Sequence, residues 1–93
     1  MITSYQRGYK KELEFVRKLK KTKRFHTVLR SAGSRSPFDV VALSGSKILL
    51  VQVKTGKGKF KRDIKKLKKL KVPSCAKKQV WVYDNGWRLV FDE

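Results

Sequence analysis

The chain has 93 residues and carries 25 Lys or Arg against 7 acidic residues, a net charge of +18, and this length predicts one domain over residues 1–93. The positive excess indicates a polyanionic partner, with nucleic acid first and an anionic membrane surface second, although no apolar run approaches the roughly 20 residues that cross a bilayer. One cysteine and one histidine exclude both an internal disulfide and a zinc site of four such ligands, so a metal is expected to be a hard ion held by oxygen.

Hydrophobic periodicity and turn residues predict seven elements in the order αβββαββ. The predicted helices are 5–21 and 60–71, the second ended by Pro73. The predicted strands are 25–32, 38–44, 47–54, 79–84 and 87–92. A type II′ turn is expected at Gly45-Ser46 and a type I′ turn at Asn85-Gly86. Strand 47–54 is apolar on both faces until Gln52, so we place it at the centre of a mixed α/β sheet flanked by helices.

The first predicted helix has a carboxylate within its apolar face. At about 100° per residue, with Tyr5 at 0°, Val16 lies near 20° and Leu19 near −40°. Glu12 lies near −20° and Glu14 near 180°, so one glutamate is directed at the core side and the other at water. A core-facing carboxylate is costly unless a cation or donor meets it. Either Glu12 snorkels or pairs with a lysine at the edge of the stripe, or it is held there for a function.

The first predicted hairpin brings three further polar residues together. A two-residue loop at 45–46 places Asp39 opposite Gln52, and opposed residues share a face with Cβ atoms about 4.5–5.5 Å apart. Alternation puts Lys54 on the face of Gln52. The three side chains are therefore expected to converge, unless a bulge interrupts 38–43. The alternative is a plain Asp–Lys ion pair at a polar strand end.

These four residues suit metal-assisted chemistry on phosphate. Glu12, Asp39 and the amide oxygen of Gln52 offer the oxygen ligands that Mg²⁺ prefers, with Mn²⁺ as a possible substitute. A bound Mg²⁺ would polarise a phosphate oxygen and lower the pKa of a bound water, the usual route to phosphodiester hydrolysis. Lys54 would orient the attacking water or stabilise charge on the phosphorane. We predict a catalytic set of Glu12, Asp39, Gln52 and Lys54.

Four stretches, in order along the chain, resemble the PD-(D/E)XK nuclease superfamily and, more closely, the archaeal Holliday-junction resolvases. They are RGYKKELEFVRKL, VLRSAGSRSPFDVVA, ILLVQVKTGK and NGWRLV. The resemblance implies a restriction-endonuclease-like mixed sheet of about five strands. It also implies that Glu12 is the helix glutamate, Asp39 the metal-binding aspartate and Lys54 the catalytic lysine. It matches Arg30, Ser31, Ser34 and Arg35 to a basic, hydroxyl-rich loop beside the active site.

The chain departs from that family pattern in two places. Gln52 stands where the family usually has Glu, which keeps a ligating oxygen but removes a negative charge, so metal affinity should fall. The chain also ends soon after the GWR strand, where similar resolvases continue with segments that help them dimerise. The first departure affects metal binding and therefore activity, and the second affects the geometry of the dimer.

The basic residues are expected to contact phosphates, which carry affinity and no base sequence. Binding should therefore weaken steeply with salt. The candidate DNA-binding residues are Arg7, Arg30, Ser31, Ser34, Arg35, Lys57, Lys59, Lys61 and Arg62. For the lysine-rich second helix the alternatives are a solvated face or a helix lying on a membrane surface. We expect Trp81, Tyr83 and Trp87 to be core or interface aromatics, with stacking on an exposed base as the alternative.

The sequence thus predicts a homodimeric, Mg²⁺-dependent endonuclease that cuts four-way or other branched DNA, with no membrane partner. The alternatives are a nuclease of the same fold acting on other DNA substrates, or a basic DNA-binding protein that has lost catalysis through Gln52. The N-terminus has no signal-peptide pattern, and a lone cysteine suits a reducing compartment. We therefore expect a cytoplasmic protein, archaeal or viral, acting in the host cell.

Overall fold

The computed structural model describes residues 4–31 and 37–93, with side chains from residue 8 onward. The elements are α1 (Ser4–Thr22), β1 (Thr27–Arg30), β2 (Val40–Leu43), β3 (Ile48–Thr55), α2 (Lys61–Lys69), β4 (Ala76–Tyr83) and β5 (Trp87–Asp92). This confirms the predicted order αβββαββ. The strands form one mixed sheet in the order β1-β2-β3-β4-β5 with β3 central, as predicted. Over the described ranges, no helix has the length and apolar character needed to cross a membrane.

Only the β3–β4 pair is parallel among the four strand pairs of this sheet. Two parallel neighbours require a crossover connection, and α2 lies in that connection. Apolar residues of alternating direction along β3 therefore face α1 on one side of the sheet and α2 on the other. The α1 side buries Phe15, Val16, Val28, Val40, Ala42, Leu49, Val51 and Val53. The α2 side buries Phe38, Leu67, Val80, Val82 and Phe91.

The buried face of α1 is rotated relative to the prediction. At about 100° per residue, Phe15 lies near −80°, outside the predicted apolar stripe, and Tyr9 near 40°, one turn after Tyr5 and within it. Phe15 is nevertheless only 1% exposed, whereas Tyr9 is 38% exposed. Phe15 packs against Trp81 and Trp87 of the neighbouring strands. Contact with these strands therefore sets the orientation of the helix, and periodicity along α1 alone contains no information about it.

Several predicted boundaries move for reasons of packing. The second helix was predicted to run to the residues before Pro73, but it ends at Lys69, because Leu70 is already extended with φ −75° and ψ 127°. β1 is shorter than the predicted strand 25–32. β4 begins at Ala76, three residues before its predicted start, because Ile48 of β3 pairs with Ala76 in the parallel ladder.

The two predicted turns occur where expected, but with different backbone geometry. The amide of Ser44 donates to the carbonyl of Lys47 (2.9 Å), which closes a two-residue loop. Gly45 lacks the positive φ of a type II′ turn, so that turn type was wrong. In the last hairpin Tyr83 pairs with Trp87, which leaves a three-residue loop over 84–86 in place of the predicted two-residue type I′ turn.

The early start of β4 buries a lysine that then caps α2. Lys78 is 7% exposed, and its Nζ donates to the carbonyl oxygens of Leu67 (2.6 Å) and Leu70 (3.0 Å) at the helix end. The Leu67 carbonyl also accepts the N–H of Leu70 at 3.1 Å, and Lys78 adds a charged donor for carbonyls at the helix end, where intrahelical donors run out. We expect Lys78→Met to lower the free energy of unfolding by about 1–3 kcal/mol, measured by urea titration.

The matched control for this substitution is Lys77→Met. The Lys77 side chain is 57% exposed and points to the other side of β4, where it pairs with Asp92 at 3.3 Å. An exposed pair of this kind contributes about 0–1 kcal/mol. Equal losses in the two variants would show that Lys78 does not cap the helix.

Candidate active site

The glutamate predicted to face the core does so. The side chain of Glu12 is 20% exposed, whereas that of Glu14, on the outer face of α1, is 47% exposed and pairs with Lys11. Nη1 of Arg30 lies 3.3 Å from Oε1 of Glu12 and donates a hydrogen bond to it. The Arg30 guanidinium also stacks on the ring of Tyr9, 4.4 Å from its centroid. The side chain of Glu12 therefore links α1 to the end of β1.

Asp39 lies where β2 enters the sheet beside β3. The predicted hairpin register is confirmed over Val40–Leu43, where Val41 pairs with Leu50. The ladder ends at Val40↔Val51 and does not extend to the predicted Asp39–Gln52 pair. Instead the Asp39 amide donates to the Val51 carbonyl (2.8 Å), and its Oδ2 accepts the backbone N–H of Val53 (2.8 Å). The carboxylate thus replaces a backbone acceptor at the point where the two strands separate.

The carboxylates of Glu12 and Asp39 are close enough to repel each other. Burial raises the pKa of Glu12 and the Asp39 charge raises it further, while Arg30 opposes both. Burial also raises the pKa of Asp39, against the Val53 hydrogen bond and the positive charges of Lys54 and Arg30. The positive groups near Glu12 and Asp39 therefore do not fully offset the cost of ionising these two side chains, despite a net charge of +18 over the chain. A further cation beside this pair would therefore stabilise both carboxylates in their charged form.

Lys54 has a second acidic neighbour that the sequence analysis did not single out. Its Nζ lies 3.5 Å from Oδ1 of Asp63 in the first turn of α2, and both side chains are about one-third exposed. Asp63 is the only acid between residues 40 and 83. This isolated acidic residue within the most basic segment of the chain was the signal that could have identified Asp63 as part of the site. Asp63 therefore holds Lys54 toward α2 while Lys54 acts electrostatically on Asp39.

Gln52 contributes a buried oxygen without a donor. Among the described residues, its Oε1 is the one buried side-chain polar atom that lacks a hydrogen-bond partner. Leaving such a group unpaired costs about 1–3 kcal/mol. Gln52 alternates with the α1-facing Val51 and Val53, so its side chain lies with Lys54 on the α2 face of β3, as predicted for that pair, and on the opposite face from α1 and Glu12. Asp39 is the residue whose charge interacts with both Glu12 and Lys54. An amide oxygen with no donor to meet it suits a cation ligand.

These residues fit a hard divalent ion, with one shortfall. The carboxylates of Glu12 and Asp39 supply oxygen ligands that Mg²⁺ takes, with water completing its shell, and the amide oxygen of Gln52 would have to reach the ion from the other face of β3. Asp63 pairs with Lys54, and over the described ranges no three Asp, Glu, His or Cys residues gather as a metal-binding group. The amide of Gln52 therefore stands where a third charged ligand would bind more strongly.

The predicted DNA-binding residues divide into three groups. Lys57, Lys59, Lys61 and Arg62 are exposed on the loop and first turn beside the site. Arg30 is within the site, paired with Glu12, and Ser31 donates its amide to the Asp39 carbonyl. Ser34, Arg35 and the side chain of Arg7 lie outside the described residues.

The raised pKa of Glu12 predicts that this residue opposes folding at neutral pH. A folded-state pKa above the unfolded value means that the contribution of the group to stability is present below the unfolded pKa and lost as pH rises through the folded pKa. Without divalent metal, Glu12→Gln should therefore raise Tm near pH 7, and this gain should shrink toward about pH 4. Differential scanning calorimetry in EDTA measures both.

The matched control is Glu14→Gln, two residues further along the same helix and exposed. We expect its Tm to stay level or fall slightly, because it removes only a surface pair with Lys11. A lower Tm for Glu12→Gln than for wild type at pH 7 would mean that Arg30 fully compensates the Glu12 charge.

Comparison with known families places the site within a matched region of the chain. Residues 3–79 match the family model described as archaeal Holliday junction resolvase (hjc). The matched range includes α1, β1, β2, β3, α2 and the first residues of β4, and with them Glu12, Asp39, Gln52, Lys54 and Asp63. A search of curated proteins gives no match.

Proposed function

The chain belongs to the archaeal Holliday junction resolvase family, and on that premise we propose that it is a divalent-metal-dependent endonuclease that nicks four-way DNA junctions. The observation that carries this proposal is the Glu12–Asp39 carboxylate pair, in which both pKa values are raised beside the cation of Lys54. Partly buried like charges of this kind are expensive for a fold and are typical of catalytic sites.

In the proposed reaction, Glu12, Asp39 and the Gln52 oxygen hold Mg²⁺ or Mn²⁺. When bound, the metal supplies Lewis acidity toward a phosphate oxygen and a lowered pKa of bound water. Lys54 donates a hydrogen bond to the developing negative charge at the scissile phosphate. Asp63, 3.5 Å from its Nζ, limits the freedom of the ammonium before the substrate arrives.

Arg30 and the exposed basic loop account for substrate binding in this proposal. Lys57, Lys59, Lys61 and Arg62 offer phosphate contacts next to the site. Arg30 is held ready by Glu12 and Tyr9, and its planar guanidinium suits a phosphate adjoining the cut. The steep salt dependence that such contacts produce is measurable as the slope of log K against log salt.

We also propose that the active form is a homodimer. A junction presents two strands to be nicked symmetrically, and a two-fold axis would present one active site to each. Sedimentation of the free protein and of its junction complex at equal protein concentration measures this. A complex with one chain per junction would exclude paired nicking by a dimer.

A second candidate is a junction-binding protein without catalysis. It is favoured by Gln52 and by the absence, over the described ranges, of a third acidic ligand at the site. Such a protein would keep the basic surface and would not need a bound metal for affinity. The amide would then simply be a neutral replacement that relieves repulsion between Glu12 and Asp39.

One experiment separates the two candidates. A labelled four-way junction, a linear duplex and a single strand are incubated with wild type and with Gln52→Glu, in Mg²⁺, Mn²⁺ or EDTA. Junction-selective nicks that require metal support the nuclease, and Gln52→Glu should then lower the Mg²⁺ concentration for half-maximal rate about tenfold. Binding without nicks in wild type, together with nicks by Gln52→Glu, would establish the silent form. Equal cutting of all three substrates would reject junction selectivity.

A further inference from the structure

A groove of about 890 Å³ lies on the α1 side of the sheet, between the second half of α1 and strands β3, β4 and β5. Its size falls within the range of about 300–1,000 Å³ typical of ligand sites. Its floor is aromatic and apolar, and its rim is basic. We propose that this groove is a second nucleic-acid site, which binds a short stretch of single-stranded DNA by stacking its unpaired bases.

The floor presents two indole rings that are already fixed in place. The buried ring of Phe15 contacts both of them, with centroid distances of 5.5 Å to Trp81 and 5.1 Å to Trp87. The Trp81 indole N–H donates to Oε1 of Gln79 at 2.8 Å, which fixes the ring edge. Both tryptophans remain partly exposed. Held and accessible aromatic rings are the platforms on which unpaired bases stack.

The rim supplies basic side chains, and within the described residues all but one of them lack an acidic partner. Six exposed basic residues line the groove: Arg17, Lys18, Lys21, Arg24, Lys47 and Lys77. Within the described part of the chain, only Lys77 among these six forms an ion pair, with Asp92. The one acid on the rim, Glu14, is already paired with Lys11. The rim therefore attracts anions strongly, which is the property needed to bind a phosphate backbone.

The groove is lined by other residues than the proposed active site. Its basic end, at Lys47 and Ile48, is about 20 Å from Lys54 along β3, at about 3.3 Å per residue. Its aromatic end is nearer, because Trp81 pairs with Val53, but the Trp81 ring lies on the α1 face of the sheet and Lys54 on the opposite face. Glu12, Asp39, Gln52 and Lys54 do not line it. This inference therefore does not depend on metal binding or cleavage, and the two proposals can fail independently.

Charge and shape together favour unpaired bases over the other polyanions. The bases of a duplex stack on each other and would leave the tryptophan faces unused, so a duplex needs only the rim. A single strand brings a phosphate for the rim and a flat apolar ring for the floor with every nucleotide. An acidic peptide with aromatic side chains would offer similar chemistry, and the test below distinguishes it.

Trp81 and Trp87 are the only tryptophans of the chain, so its intrinsic fluorescence reports directly on this groove. The protein is titrated in EDTA with an oligothymidine of about eight nucleotides, an abasic strand of equal length and an oligoglutamate of equal charge. We expect saturable quenching by oligothymidine, with affinity about tenfold above that of the abasic strand. Equal affinity of the two strands without quenching would overturn the proposal. Oligoglutamate that displaces oligothymidine at equal concentration would overturn it in favour of a protein partner.

A pair of charge variants tests the location without disturbing the core. The groove variant combines Lys18→Gln, Lys21→Gln and Arg24→Gln. The control removes equal charge from the exposed face of α2 by Lys65→Gln, Lys68→Gln and Lys69→Gln. Because all six residues are exposed, both variants should fold. We expect oligothymidine affinity to fall about tenfold in the groove variant and less than about twofold in the control. Equal losses in both would mean that general attraction, and not the groove, binds the strand.

Discussion

Replacing Asp39 by Asn should reduce junction cleavage about 10³-fold while leaving junction affinity in EDTA within about twofold of wild type. The amide keeps an oxygen that can accept the Val53 N–H, which Oδ2 of Asp39 accepts at 2.8 Å. The strand geometry should therefore persist. What is lost is the negative charge that the proposed metal requires. Single-turnover nicking of a labelled junction, with affinity measured separately in EDTA, resolves the two quantities.

The control for this experiment is Glu14→Gln, which removes a carboxylate from the outer face of α1. Its cleavage rate should stay within about twofold of wild type. Thermal stability offers a further check, because Mg²⁺ that binds only the folded chain raises Tm. This rise should occur in wild type and vanish in the Asp39→Asn variant. An Asp39→Asn protein that cuts at the wild-type rate would remove Asp39 from the mechanism.

Replacing Lys54 by Ala should lower the cleavage rate about 10²–10³-fold, because the ammonium is the one proposed donor to the charge that develops at the phosphate. The metal-induced rise in Tm should remain, since Lys54 is not a proposed ligand. Loss of a positive charge beside Asp39 should even favour the metal slightly. The measurement is single-turnover cleavage at saturating Mg²⁺, with the shift in Tm recorded in parallel.

Two further variants separate catalysis by Lys54 from simple phosphate attraction. Lys57→Ala removes an exposed lysine of the adjoining loop, and it should weaken binding while reducing the salt slope by about one, with little effect on the single-turnover rate. Asp63→Asn leaves Lys54 in place but removes its 3.5 Å partner, so its rate should lie between those of Lys54→Ala and wild type. Identical behaviour of the two lysine variants would indicate that Lys54 acts only in binding.

Local patterns predicted the part of the site that depends on one helix face and one hairpin. The position of Glu12 within the apolar face of α1 followed from helical periodicity, and its side chain is less than half as exposed as that of Glu14. The register of β2 against β3 followed from the length of the turn. Both rules describe neighbours along the chain, and one sequence determines such neighbours well.

Features that depend on contacts between distant segments were missed. Asp63 meets Lys54 because α2 lies against β3, and the early start of β4 results from its parallel pairing with β3. The pairing of Arg30 with Glu12, eighteen residues away, was not predicted. The separation of strands at Asp39 depends on a side chain that competes with the backbone for the Val53 N–H. None of these contacts leaves a periodic signal in the sequence.

The most direct test of a metal centre at Glu12, Asp39 and Gln52 is crystallographic. Crystals grown with Mn²⁺ should give an anomalous peak bonded to a carboxylate oxygen of Glu12 and one of Asp39, at about 2.0–2.2 Å. The side-chain oxygen of Gln52 should turn toward it, and the peak should be absent from crystals of Asp39→Asn. An Mn²⁺ bound elsewhere, with Glu12 and Asp39 left without it, would contradict the account.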